Sequence, residues 1–180
     1  MTTVPVRLIP LQCVRCAQPL NAQAEEVAWC CSNCGQGQLL QEDGQLISVE
    51  IHFDAGLKPG ERGRPFWVAT GQVSNLERKR FKGDQSKEMQ HFWASARRFF
   101  VPAYEMPLEK IVETGLKLIE AQPALTPGAP ADFLPVTVLP DDVRALAEFI
   151  VLAVEAARKD QLSQLQIDLQ LGEAELWIIT

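Results

Sequence analysis

The sequence predicts an α+β fold, in which a cysteine-rich N-terminal segment precedes a mainly antiparallel sheet with two long helices packed on it. Segments with strand character are grouped towards both ends of the 180-residue chain, and two segments with helical periodicity lie between them. An apolar content of 47% is sufficient for a core. We expect two domains, residues 1–41 and 42–180, with a Pro-rich connection at residues 122–132.

The first half of the body has three predicted strands. Residues 46–53 alternate between apolar and polar side chains, which predicts a strand with one apolar face. Residues 65–73 are rich in aromatic and β-branched side chains and predict a second strand, and residues 97–101, closed by Pro102, predict a third. Between them we interpret the basic tract 75–84 as a solvated loop and residues 86–96 as a short helix.

Two helices follow. Residues 107–121 carry one apolar stripe and begin with Pro107, which is favoured in a first helical turn. The second helix is predicted to open at Pro140, with acidic residues at its start and Arg158–Lys159 at its end, as the helix dipole favours. Its middle is apolar on most faces, which predicts burial between layers or in an interface with a partner.

The C-terminal segment is predicted to form strands. Residues 133–139 predict a short strand, and residues 164–170 and 176–180 predict a hairpin that turns at Gly172–Glu173. The last strand is apolar on both faces. We therefore expect it to lie inside the sheet or to be covered by another chain.

Four cysteines provide the one strong chemical signal. They read C-x2-C, a gap of 14 residues and C-x2-C, formed by Cys13, Cys16, Cys31 and Cys34. Two residues between cysteines let both thiolates bind one tetrahedral ion, and two such pairs supply four sulfurs. Gly35 suits a backbone position with positive φ, where amides can point at sulfur. These residues resemble a zinc ribbon, which implies a structural zinc ion and covers about residues 8–41.

Three alternatives to structural zinc remain open at this stage. Two disulfides are disfavoured, because the cysteine count is odd and the first residues show no signal-peptide pattern. Four thiolates also hold iron in rubredoxin-like electron carriers, although the loop between the pairs is short for that family. A catalytic zinc needs an open coordination position, which four cysteine ligands do not leave. Cys30 is interpreted as a half-buried spare thiol beside the site.

Charge is distributed unevenly along the chain. The net charge is −6, which disfavours a general polyanion binder, yet residues 58–100 hold 10 basic and 4 acidic side chains. The sequence has no apolar run long enough to span a membrane. We expect a soluble cytoplasmic protein, with no identified small-molecule substrate.

These observations support two hypotheses about function. The first is a non-enzymatic, zinc-binding adaptor or assembly protein that contacts another protein or itself. The second is a nucleic-acid-binding protein that uses the basic aromatic segment 78–100. Its candidate phosphate contacts are Arg78, Lys79, Arg80, Lys82, Arg97 and Arg98. An enzyme is not expected, because the chain lacks a recognisable catalytic triad, phosphate-binding glycine loop or paired-carboxylate motif.

Overall fold

The computed structural model describes residues 9–80, 91–157 and 162–180, and for residues 75–80 and 162–166 it describes the backbone alone. The predicted α+β fold is confirmed. The strands are β1 (Ala28–Cys30), β2 (Gly37–Leu40), β3 (Leu46–Ser48), β4 (Ile51–Phe53), β5 (Arg64–Arg80), β6 (Arg97–Pro102), β7 (Leu162–Leu171) and β8 (Glu175–Ile179). The two long helices are α1 (Leu108–Ala121) and α2 (Val143–Ala156), and a 3-10 turn at Pro140–Asp142 leads into α2.

An antiparallel three-stranded sheet, in the order β1-β2-β3, follows the first cysteine pair, and the second pair lies in the turn between β1 and β2. This sheet packs on the rest of the protein. The Val27 amide donates to the Val136 carbonyl at 2.7 Å. Ala28 and Leu39 are buried in the same core as Trp67 of β5. The cysteine-rich segment therefore packs against residues 42–180. The predicted domain boundary at residue 41 concerns whether the two parts fold independently, and it stays a prediction.

The strand predicted at 46–53 is divided between two sheets. β3 pairs with β2 in the small sheet, whereas β4 pairs in parallel with β8 in the large one. Between them, the Val49 amide donates to the Gly37 carbonyl. Gly37 permits this close approach, since a Cβ there would overlap the Val49 carbonyl oxygen. The alternating pattern correctly predicted extended backbone but did not show the change of sheet.

The large sheet is organised around β5 and has the order β4-β8-β5-β6. The predicted C-terminal hairpin is wrong, because β7 and β8 both pair antiparallel to β5 and do not pair with each other. They follow the same edge of β5 in nearly the same register. Gly71 pairs with Leu171 and Val68 with Glu175, and the Gly172 amide donates to the Thr70 carbonyl between them. The Gly172–Glu173 sequence interrupts one long partner strand and does not reverse it.

The interpretation of the basic tract as a loop is also wrong for its first part. Residues 75–80 continue β5, and their backbone pairs with β7 as far as Arg80 and Leu162. Pairing with β6 ends at Gly71, so the later part of β5 forms a two-stranded ribbon with β7. Residues 81–84, and residues 86–90 of the predicted helix 86–96, lie outside the described residues, whereas residues 91–93 are helical.

Both helices contribute to one core. Side chains from α1 and α2 pack with Trp67, Phe99 and Leu176 from one face of the large sheet. Gly115 of α1 lies against Ile150 of α2, where a Cβ would overlap the Ile150 side chain. A second cluster contains the alternate strand residues Phe66, Val68, Phe100, Trp177 and Ile179. The two-sided final strand is thus buried inside the sheet, which is one of the two predicted outcomes.

The Pro-rich connection is docked on the sheet. The Ala55 amide donates to the Thr126 carbonyl at 2.7 Å, and the Gly128 amide donates to the Phe53 carbonyl at 2.7 Å. The strand predicted at 133–139 is present only as isolated bridges at Phe133 and Val136. Among the helices of the described part of the chain, none has the length and apolar character needed to cross a membrane.

Candidate metal centre

The structure brings the four predicted cysteines together. The sulfur atoms of Cys13 and Cys34 are 3.6 Å apart, those of Cys16 and Cys31 are 3.7 Å apart, and all four lie within 4.8 Å of one another. A zinc ion bound tetrahedrally at about 2.3 Å from each sulfur requires sulfur atoms about 3.8 Å apart. The sulfur cluster therefore fits one tetrahedral metal ion. Cys13 and Cys31 are buried, and Cys16 and Cys34 are partly exposed.

Two matching turns create this geometry. In the first, the Cys13 amide donates to the Gln18 carbonyl at 2.8 Å and the Ala17 amide donates to the Cys13 carbonyl at 2.8 Å. In the second, Cys31, Gly35 and Gln36 repeat both bonds at the same spacing, at 2.8 and 2.9 Å. Each turn places the residue after its second cysteine in the left-handed region, with φ of 57° at Ala17 and 71° at Gly35.

Polar groups stabilise individual thiolates. The backbone amide of Gln18, followed by the Asn33 side chain, lowers the pKa of Cys16 to about 6. Asn33 lies in the second cysteine turn and so supports a sulfur of the first. Desolvation raises the pKa of Cys13, but the amides of Cys16 and Arg15 donate to its sulfur and the pKa is lowered overall. Outer donors of this kind orient ligands and adjust their basicity.

Crowding of the sulfurs has the opposite effect on Cys34. The Gln36 amide favours its thiolate, but desolvation and the neighbouring cysteine sulfurs outweigh that amide and raise the pKa of Cys34 to about 12. Four thiolates at these distances repel one another, since like charges disfavour ionisation. Binding of a cation among them reverses this balance, because a coordinated thiol is deprotonated. The electrostatics of the cluster therefore favour a bound cation.

Gln38 connects the two turns. It lies on β2, is fully buried, and its Oε1 accepts a hydrogen bond of 2.8 Å from the Val14 amide in the first cysteine turn. Its Nε2 has no partner among the described residues. The side chain thus fixes the first turn against the sheet that carries the second. Polar residues are common on short strands, so the sequence alone gave no signal for this role.

The fifth cysteine lies beside the cluster, as predicted. The Cys30 thiol donates to the Gly35 carbonyl at 3.5 Å, and burial, together with the charge of Cys31, raises its pKa. A raised pKa disfavours the thiolate that redox chemistry requires. All five cysteines are free in this structure.

The predicted nucleic-acid contacts fall into two groups. Arg78, Lys79 and Arg80 follow one another on β5 in the two-stranded ribbon, and Lys82 lies outside the described residues. Arg97 and Arg98 are at the start of a different strand, β6. The structure does not place these two beside the ribbon positions in the strand pairing, because Arg97 pairs with Gly71 and Arg78 pairs with Leu165.

The arginines of β6 make internal contacts. The Arg97 Nε donates to the Phe92 carbonyl at 2.8 Å, and its guanidinium lies 3.6 Å from the centre of the Phe92 ring. An Arg98 guanidinium nitrogen donates to the Pro123 carbonyl at 2.7 Å. Trp93, Phe99 and Phe100 are buried and do not offer a stacking surface. The assignment of the six basic residues as phosphate contacts stays a prediction.

Comparison of the chain with protein-family models found no match. Searches against curated proteins and solved structures likewise returned no significant similarity. The class of protein is therefore defined by its own geometry, as an α+β protein with a four-cysteine cluster suited to a metal ion.

Proposed function

We propose that this protein is a non-enzymatic, zinc-binding adaptor or assembly protein, in which zinc holds the cysteine turns together and the outer face of α2 contacts another protein. Four cysteine sulfurs at tetrahedral spacing are the donor set of structural zinc sites. Such a site has no coordination position left for water or substrate. Its contribution is to folding, because zinc joins two turns that are separated along the chain.

The outer face of α2 is the observation that carries the protein-contact part of this proposal. Phe149 and Leu152 remain 45% and 40% exposed, although the opposite face of the helix is buried in the core. Scattered exposed apolar residues are ordinary, but two large ones one turn apart on one helix form a patch. The helix predicted to be apolar on most faces thus has more apolar surface than the core covers.

The metal is tested by elemental analysis of the purified protein and by cobalt substitution. We expect one zinc ion per chain and a cobalt spectrum with the strong sulfur-to-metal charge transfer of four thiolate ligands. Cys34→Ser should lower zinc occupancy and unfold the cysteine turns, whereas Cys30→Ser should retain full zinc. Full zinc in Cys34→Ser, or iron in place of zinc, contradicts the proposal.

The protein contact is tested with a photo-crosslinking amino acid placed at Leu152 in the intact protein in cells. A matched control places it at Lys117, which is on α1, has a side chain 71% exposed and pairs with Glu113. We expect discrete protein adducts from position 152 that are lost when Phe149→Ser is added. Equal labelling from both positions, or none at 152, contradicts a contact at this face.

A second candidate, nucleic-acid binding, is favoured by one observation. Beyond Gly71 the chain continues as a two-stranded ribbon, and Arg78, Lys79 and Arg80 lie on it in succession. A two-stranded β-ribbon fits the major groove of DNA, and basic residues contact phosphate. Binding to labelled single- and double-stranded DNA and RNA across a salt series tests this. Affinity that falls steeply with salt, and is lost on replacing these three residues with Glu, supports it; no binding at low salt excludes it.

A further inference from the structure

The exposed residues of α2 follow the spacing of a helix-pairing seam. Ala145, Phe149, Leu152 and Ala156 are all exposed and are separated by four, three and four positions. This is the alternation by which one helix presents a continuous stripe to another. No charged side chain lies on the stripe itself. Arg144 and Glu148 flank it and pair with each other at 3.5 Å.

The order of residues in this stripe is symmetric. It reads small, large, large, small, so it has the same pattern in both directions along the helix. When two copies of such a helix pack antiparallel about a two-fold axis, each large residue meets a large one and each small residue meets a small one. Phe149 then lies opposite Leu152 of the partner subunit, and Ala145 lies opposite Ala156 of the partner subunit. A two-fold interface requires self-complementarity of this kind.

We propose that the apolar stripe of α2 is covered by a second copy of this chain, packed antiparallel through the same stripe. The inference rests on the proposed function, since it names the protein that the α2 face contacts. The small residues at the ends let the helices approach closely, and Phe149 and Leu152 fill the centre. In this dimer the stripe of each copy covers the stripe of the other, so no additional partner is needed.

Charge also favours an antiparallel pair. An antiparallel pairing sets the negative C-terminal end of each helix dipole beside the positive N-terminal end of the other. It also aligns Arg144 with the last turn of the partner helix, where the helix dipole is negative. A parallel pairing would instead bring like charges together.

The contact is small. Each copy contributes only two large side chains and their neighbours, over three helical turns. The area buried in such a contact is smaller than the roughly 1,200–2,000 Å² buried in stable complexes. We therefore expect a dimer that forms and dissociates with protein concentration. Its central residues should dominate the affinity, as truncation studies find for interfaces in general.

The oligomeric state of the full zinc-loaded chain, measured by sedimentation across a wide range of concentrations, tests the proposal. We expect a reversible monomer–dimer equilibrium in the wild type, weakened at least tenfold by Phe149→Glu and likewise by Leu152→Lys. The matched control is Leu108→Glu, which changes a side chain that is 48% exposed on α1 and should leave the equilibrium unchanged. Circular dichroism verifies folding, and Phe149→Ser replaces Phe149→Glu if the charged variant misfolds.

Mixing the two charged variants identifies the orientation. In the antiparallel pair, Glu at position 149 of one copy meets Lys at position 152 of the other, so an equimolar mixture should recover dimers that neither variant forms alone. A wild type that stays monomeric at all concentrations overturns the inference. So does a dimer that persists unchanged in Phe149→Glu. If the chain is monomeric while position 152 still crosslinks to a different protein, the proposed function survives and the second copy is excluded.

Discussion

Exchanging residue types at the two left-handed positions of the cysteine turns tests the origin of the turn geometry. Ala17 holds φ at 57° and Gly35 at 71°, in equivalent places. A residue with a Cβ pays roughly 1–2 kcal/mol in this conformation. Replacing Ala by Gly also stabilises the unfolded chain by about 0.4–1 kcal/mol, because it raises the conformational entropy of that chain. The difference predicts that Ala17→Gly stabilises the zinc-bound turns by about 0.5–1 kcal/mol and that Gly35→Ala destabilises them by a similar amount.

Contacts do not complicate the second substitution, because a Cβ at Gly35 would meet nothing within 4 Å. Since zinc binding and turn formation are coupled, the changes should appear in zinc affinity. At about 1.4 kcal/mol per factor of ten, they correspond to about a two- to fivefold change in zinc Kd, tighter for Ala17→Gly and weaker for Gly35→Ala. The double variant should return close to the wild-type value. Competition with a chelator of known affinity measures all three.

Gly60 provides the control. It also has positive φ, at 80°, and open space around its Cβ position, but it lies outside the cysteine turns. Gly60→Ala should lower the free energy of global unfolding and leave zinc Kd unchanged. The reasoning is refuted if Ala17→Gly weakens zinc binding, or if Gly60→Ala changes zinc Kd as much as Gly35→Ala does.

Three further predictions concern the same structure. Asn33→Ala removes a donor to Cys16 and should weaken zinc binding about tenfold in the same competition assay, with Ser32→Ala as a neighbouring control. The raised pKa of Cys34 keeps this thiol protonated at neutral pH when no metal is bound, so zinc binding should release at least one proton. Zinc affinity should therefore fall at least about tenfold for each pH unit as the pH is lowered from 8.5 to 6.5, which zinc titrations at both pH values measure. Affinity independent of pH would contradict that assignment. Gly115→Ala places a methyl group against Ile150 and should lower the free energy of unfolding by about 1–3 kcal/mol in denaturant melts, partly recovered by adding Ile150→Val.

Local patterns predicted the features that depend on neighbouring residues. The cysteine spacing identified all four clustered sulfurs, because each pair needs only a tight turn. The apolar periodicity predicted residues 107–121 as a helix, and α1 spans Leu108–Ala121. The third predicted strand, 97–101, is β6. Gly35 was identified by its residue type, whereas Ala17 was not, because alanine gives no signal for a left-handed backbone.

Features that depend on distant pairing could not be predicted in this way. The basic tract 75–80 is polar and looks like a loop, but pairing with β7 holds it extended. Gly172 and Glu173 are residue types that favour a turn, but the segments on either side of them both pair with the long strand β5 and not with each other. The link between Val14 and Gln38 joins segments 24 residues apart and has no sequence pattern. Tertiary contacts decided each of these cases.

The long strand β5 has a consequence for the order of folding. The positions that it pairs with on β7 and β8 are from 82 (Arg80–Leu162) to 115 (Arg64–Ile179) residues away in the sequence. Contacts this distant close large loops and form slowly. The four cysteines, in contrast, all lie within 22 consecutive residues. During synthesis the metal-binding turns can therefore form early, whereas the pairing of β5 with β7 and β8 cannot form until the last 19 residues of the sequence have been made.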